Sequence, residues 1–142
     1  MSRSVSTPSG AVVIVFAAMD TAASHDEQGQ YDEEGMQFEW DNCIDNLRDS
    51  LTARYPSLSK CDRWLGREDH GILSNRHATV TVSEYCGLVA VCLVPTDEPM
   101  AGHWCEQIEP GFRKVVGEVF GGTLRKVATA SNGEAFFEQV AA

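Results

Sequence analysis

The fold of this chain is decided by residues 36–55, which read MQFEWDNCIDNLRDSLTARY. Apolar side chains recur in this stretch every three or four residues, which places them on one stripe of an α-helix. Pro56 follows and cannot continue the helix. We therefore predict a helix over residues 38–54 that buries Trp40, Ile44, Leu47 and Leu51.

Four stretches outside this helix have the composition of β-strands. Residues 11–16 form a β-branched run that is typical of a buried strand. Residues 71–73, 78–85 and 88–94 are separated by turn residues, which predicts an antiparallel meander. The last of these is apolar throughout, so we expect it at the centre of the sheet. Residues 58–69 have no clear period and are expected to form a connector.

The strand predicted at residues 78–85 alternates between apolar and hydroxyl-bearing side chains. Its polar set is Thr79, Thr81 and Ser83. An antiparallel sheet can bury one face and leave the other in water. The alternation therefore predicts that this polar set faces solvent.

A second helix is predicted near residue 104, followed by a hairpin. Apolar residues keep a helical period from Trp104 to Val119, but Pro110 lacks the N–H that a helix interior requires. We therefore predict a break at Pro110. Residues 123–130 and 135–140 flank an Asn-Gly pair and are predicted to form the hairpin.

At 142 residues the chain has the length of one domain. The predicted class is α+β, with an antiparallel sheet covered by two helices in the order β-α-β-β-β-α-β-β. We expect a single domain over residues 1–142, with a polar leader at 1–9 and an acidic loop at 20–35.

The net charge of −10 is concentrated in one part of the chain. Residues 20–49 hold ten carboxylates and, among Lys and Arg, Arg48 alone, which gives −9. Because nucleic-acid binding depends on Lys and Arg that neutralise phosphates, direct DNA or RNA binding is disfavoured.

The five cysteines are odd in number and irregularly spaced. This pattern predicts free thiols, a reducing cytoplasmic location and no metal or other cofactor. No apolar run reaches the 18 or so residues of a membrane span. The oligomeric state is left open by these observations.

Asp41, Asp45 and Asp49 lie four residues apart, so they project from one face of the predicted helix. Like charges at this spacing destabilise a helix by about 0.2–0.5 kcal/mol per pair, and we expect Arg48 to relieve part of that cost. Successive aspartates are about 6 Å apart along the axis, which is comparable to the spacing of neighbouring phosphates. Phe38 would be an apolar anchor, and the carboxylates of Asp32, Glu33 and Glu34 would extend the row.

We interpret this row as a docking face for a basic protein surface, in particular that of a nucleic-acid-binding host complex. The row could instead serve only to solvate the protein, in which case a binding site is expected around Trp64 or Trp104. The sequence lacks a known catalytic motif, so binding is favoured over catalysis. The competing hypothesis is a small enzyme or metal-binding protein that uses Cys86 with His70 or His103.

A resemblance to a known group is carried by the stretch from Cys61 to His70, CDRWLGREDH, and by the stretch from Ser83 to Pro95. These residues resemble small uncharacterised proteins of bacterial plasmids, integrative elements and prophages, over about a quarter of the chain. The group implies no residue roles. Small acidic proteins of such elements include anti-restriction and anti-CRISPR inhibitors, and this analogy suggests inhibition of a defence complex by charge mimicry.

Overall fold

The structure is a computed structural model that describes residues 3–18, 33–65, 69–85, 88–120, 123–129 and 134–139. Within these ranges the chain forms eight strands and two helices, and the paired strands are antiparallel. This confirms the predicted α+β class. In chain order the elements are β1 (Arg3–Ser6), β2 (Val13–Ala18), α1 (Glu33–Arg54), β3 (Ser59–Trp64), β4 (His70–Ser74), β5 (Ala78–Tyr85), β6 (Leu88–Pro95), α2 (Ala101–Phe120), β7 (Thr123–Thr129) and β8 (Glu134–Gln139).

The strands of the described residues form one sheet in the order β1-β8-β7-β2-β6-β5-β4-β3. The predicted meander corresponds to β4, β5 and β6, and the predicted terminal hairpin corresponds to β7 and β8. Strand β6 lies between β5 and β2, and six of its residues are buried. Its position confirms that the continuous apolar run is a central strand.

The main core lies between the two helices and one face of the sheet. Ile44, Leu47 and Leu51 of α1 are buried there together with Phe112 of α2, which confirms the predicted helix and its stripe. Trp40 was expected to be buried, but it is half-buried at the margin of this core.

A second, smaller core lies on the opposite face of the sheet. Strand β1 pairs with β8 and also contacts β5 and β6, so the sheet curls back on itself. The side chain of Val5 in β1 is buried in this second core. Its other buried members are Phe16, Leu88, Ala90 and Cys92.

The curl overturns two predictions. The polar leader at residues 1–9 has no strand in the predicted order of elements, but it contains β1. Thr79, Thr81 and Ser83 were expected to face solvent, but all three are buried. The alternation of β5 was identified correctly, but a strand distant in sequence covers its polar face.

The connector predicted at residues 58–69 contains the edge strand β3. Its pairing with β4 shifts in register between Lys60 and Arg63, and that of β4 with β5 shifts between Gly71 and Leu73. Such irregularities leave backbone groups without ladder partners. Arg48 of α1 satisfies two of them, because Nε donates to the Ile72 carbonyl at 3.2 Å and Nη2 to the Cys61 carbonyl at 3.0 Å.

Helix α2 continues through Pro110, so the predicted break is wrong. Proline removes one intrahelical hydrogen bond, but the burial of Phe112, Val115 and Val116 holds the helix against the sheet on the far side of Pro110. Tyr55 Oη also donates to the Ile108 carbonyl at 3.3 Å. Tertiary packing therefore outweighs the local preference to break.

Candidate protein-binding face

The outer face of α1 carries most of the predicted binding residues in one stripe. Glu34, Phe38, Asp41, Asp45 and Asp49 follow at spacings of four, three, four and four, so they share one side of the helix. All five are exposed, and Phe38 exposes 68% of its surface. We call these five residues the acidic stripe. The stripe presents four carboxylates and one aromatic ring to solvent.

Helix α1 begins at Glu33, which shortens the acidic loop predicted at residues 20–35. Glu33 and Glu34 occupy its first turn, where carboxylates interact favourably with the positive end of the helix dipole. Glu33 is exposed next to the acidic stripe. Asp32 and the rest of the predicted loop lie outside the described residues.

Arg48 forms no ion pair with the acidic stripe in the described residues. Its guanidinium is bound to the carbonyls of Ile72 and Cys61 on the sheet side of α1. Among the described residues, no ion pair involves Asp41, Asp45 or Asp49. Gln37 Nε2 donates to Asp41 Oδ1 at 2.9 Å, but this contact adds no charge. The relief expected from Arg48 therefore does not take the form of an ion pair, because its guanidinium binds carbonyls at the register shifts.

An aromatic group lies on the edge strand beside α1. Trp64 is paired with His70 of β4, and their rings stack with centroids 4.7 Å apart at 21°. His70 Nε2 forms a hydrogen bond with Asp62 Oδ1. This hydrogen bond is the main reason that the pKa of Asp62 lies below its ordinary value. Trp64 nevertheless exposes 66% of its surface. We call Asp62, Trp64 and His70 the edge platform.

The sequence offered Trp64 as an alternative binding site and His70 as a candidate catalytic or metal-binding residue, but it did not bring the two together with Asp62. The available signal was a tryptophan in a charged stretch without a helical or strand period, which indicates an aromatic that the core does not need. Trp104, the other tryptophan considered, is half-buried between Tyr55 and His77. It therefore belongs to a packed cluster, whereas Trp64 is exposed.

That packed cluster lies at the opposite end of the sheet. His77 Nδ1 forms a hydrogen bond with Glu98 Oε2 at 2.7 Å, and the His77 ring stacks on Trp104 with centroids 5.3 Å apart. The hydrogen bond from His77 is the main reason that the pKa of Glu98 lies below its ordinary value. The pair joins the turn before β5 to the segment before α2, which is a structural role.

The buried thiols are poor nucleophiles. Burial raises the pKa of Cys43 and Cys105 to about 11 and that of Cys92 to about 12. Glu39 adds to the effect at Cys43, and Asp69 adds to it at Cys92. Because the thiolate is the reactive form, these three residues have the character of core side chains.

The competing hypothesis requires Cys86 together with His70 or His103. Cys86 lies outside the described residues, His70 is engaged by Asp62 and Trp64, and His103 is exposed on α2. No group of three or more His, Cys, Asp or Glu side chains suited to a metal ion occurs in the part of the chain that the structure describes. The structure therefore supplies no further geometry for this hypothesis.

Comparison of the chain with protein-family profiles, curated proteins and solved structures found no match. The resemblance to small proteins of mobile elements stays a prediction. Neither of the described helices has the length and apolar character needed to cross a membrane.

Proposed function

We propose that this protein is an acidic protein-binding module that docks the outer face of α1 onto a basic partner surface. One observation supports this more than any other: Arg48 binds carbonyls of the sheet, and no cation among the described residues forms an ion pair with the carboxylates of the acidic stripe. An uncompensated row of like charges costs helix stability. A partner with complementary charge would offset that cost and gain association rate.

Phe38 gives the proposed face an apolar contact. An exposed aromatic side chain surrounded by charges has the composition of an interface anchor with a polar rim. Because Phe38 lies within the same stripe as Asp41 and Asp45, one partner surface can cover all three. The narrower version of the proposal is inhibition of a nucleic-acid-handling defence complex whose basic groove normally receives phosphates.

The test is a charge reversal with a matched control. D41K/D45K/D49K reverses three exposed charges of the acidic stripe, and D97K/E106K/E118K makes the same formal charge change at exposed positions elsewhere. Both variants should fold, because the altered side chains face solvent. We expect only the first to lose the partner in a pull-down from bacterial lysate followed by mass spectrometry.

Salt dependence supplies the second readout. Raising the salt from 0.1 M to 1 M shortens the Debye length from about 10 Å to about 3 Å and should weaken the wild-type complex. Equal retention of the partner by both charge-reversed variants at low salt would reduce the acidic stripe to a solvation role. Competition by duplex DNA for the same partner would support the narrower version.

A further inference from the structure

Strand β1 is joined to the sheet along one side only. It is the terminal strand in the sheet order, and its ladder runs against β8, from Arg3 opposite Phe137 to Ser6 opposite Glu134. It also comes close to β5 and β6 across the face of the sheet, but neither pairs with it in the described residues. Strand β1 therefore lies over the second core, where the side chain of Val5 is buried.

The segment between β1 and β2 has the features of a pivot. Residues 7–12 contain a turn in which the Ala11 N–H donates to the Pro8 carbonyl at 3.4 Å, and Gly10 has a φ of 83°, which favours glycine. A Cβ at Gly10 would meet no atom within 4 Å. The Val12 N–H then donates to the Leu93 carbonyl at 3.0 Å, which fixes the chain at the start of β2. Rotation near Gly10 can therefore move β1 while β2 stays in place.

Removal of β1 leaves the main core intact. The two cores lie on opposite faces of the sheet and, within the described residues, have no member in common. Val5 belongs to the second core alone. A segment whose contacts are separate from the main core can open locally, at a lower free energy than global unfolding.

Closure of β1 has a cost in polar groups. Thr79, Thr81 and Ser83 of β5 are buried on the face that β1 covers. Arg63 donates to Thr79, but the Thr81 hydroxyl has no hydrogen-bond partner of normal geometry within the described ranges. The Cys92 thiol beside it across the β5–β6 ladder is only a weak donor. Water can hydrate this hydroxyl when β1 is away, so opening recovers hydration that closure removes.

We propose that β1 is a strap that opens and closes over the second core while the main core stays folded. Burial of Val5 and the ladder with β8 favour the closed state, whereas the chain entropy of β1 and the hydration of Thr81 favour the open state. In the open state the sheet presents Phe16, Leu88 and the Cys92 thiol to solvent. The device is independent of the acidic stripe, which lies on a helix that packs on the other face of the sheet.

The test follows the rate at which N-ethylmaleimide labels Cys92 in the folded full-length protein, resolved by peptide mass spectrometry. When closing is faster than labelling, this rate reports the population of the open state. Val5→Ala and Val115→Ala remove the same two methyl groups from a buried valine, one in each core. Val5→Ala should raise the Cys92 rate about tenfold.

The Val115→Ala variant is the decisive control. It should lower the free energy of unfolding in urea but leave the Cys92 rate within about twofold of wild type, because Val115 stays buried when only β1 opens. If its Cys92 rate rises in proportion to the lost stability, the second core opens only on global unfolding and the strap is refuted.

A reversible lock tests whether β1 is the segment that moves. Ser6 and Glu134 are directly opposite in the antiparallel ladder, so S6C/E134C places two thiols at a separation that a disulfide can span. Neither residue is assigned to a core. Oxidation of this pair should slow Cys92 labelling about tenfold relative to the reduced form of the same variant. Equal rates in the two forms would show that β1 does not control access to the second core.

Discussion

Three adjacent residues of α1 lie in three different environments. Leu47 is buried against the sheet, Arg48 reaches the register shifts of the edge strands, and Asp49 belongs to the acidic stripe. The periodicity of the sequence predicted the first and third of these environments. It could not predict the second, because the acceptors of Arg48 are carbonyls whose availability depends on strand register.

We expect Arg48→Met to destabilise the protein by about 1–3 kcal/mol, because two partly buried carbonyls would lose their donor. Methionine retains most of the aliphatic packing, so the change mainly removes hydrogen bonds. Arg113→Met is the matched control, since Arg113 makes only an i,i+4 ion pair with the partly exposed Glu109. The measurement is the free energy of unfolding in urea. Equal, small decreases in both variants would show that Arg48 does not stabilise the edge strands.

At the scale of elements, the long buried runs were predictable and the edges of the sheet were not. Strand β6 and helix α1 each have a complete pattern in their own residues. Strand β3 has none, because five of its six residues are exposed and neither period nor apolar content distinguishes them from a loop. The candidate site followed the same rule, since the acidic stripe has a helical spacing whereas the edge platform depends on pairing across β3 and β4.

The link between the turn before β5 and the segment before α2 should be sensitive to acid. The pKa of Glu98 is lowered from its ordinary value of 4.5, chiefly by the hydrogen bond with His77, so the unfolded chain binds a proton more readily than the folded one. The stabilisation is therefore complete above this ordinary value and is lost as pH falls through the folded value. Glu98→Gln should flatten the acid limb of the unfolding free energy between about pH 5 and pH 2. If the free energy of unfolding fell with the same slope in variant and wild type over this pH range, Glu98 would not be a source of the acid sensitivity.

At the scale of the whole molecule, the sheet has a core on each face, and the second core is the one that composition did not reveal. The hydroxyl-bearing residues of β5 indicated exposure to water. They are covered because β1, which is far away in sequence, closes over them. Predicting this requires knowledge of how a sheet curls, which no local pattern contains.

Thiol reactivity should report on both cores. In the native protein we expect Cys43, Cys92 and Cys105 to react slowly with Ellman's reagent, because they are buried and their pKa values are raised. Cys92 should be the slowest of the three, since burial raises its pKa furthest. Unfolding without a reductant should release all five thiols. Survival of the slowest kinetic phase in Cys92→Ala would contradict the assignment.

The pairing of β1 with β8 sets the order in which a nascent chain can complete its structure. Strand β1 leaves the ribosome before the other strands, yet β8, its neighbour in the sheet, is made after all of them. Strands β2 to β6 and both helices can assemble beforehand. Phe16, Leu88 and Ala90 stay exposed until β1 packs over them. Strand β1 can therefore pair with its neighbour only after the strands between them in sequence have been made, and translation interrupted before β8 would leave an apolar surface open to chaperones and proteases.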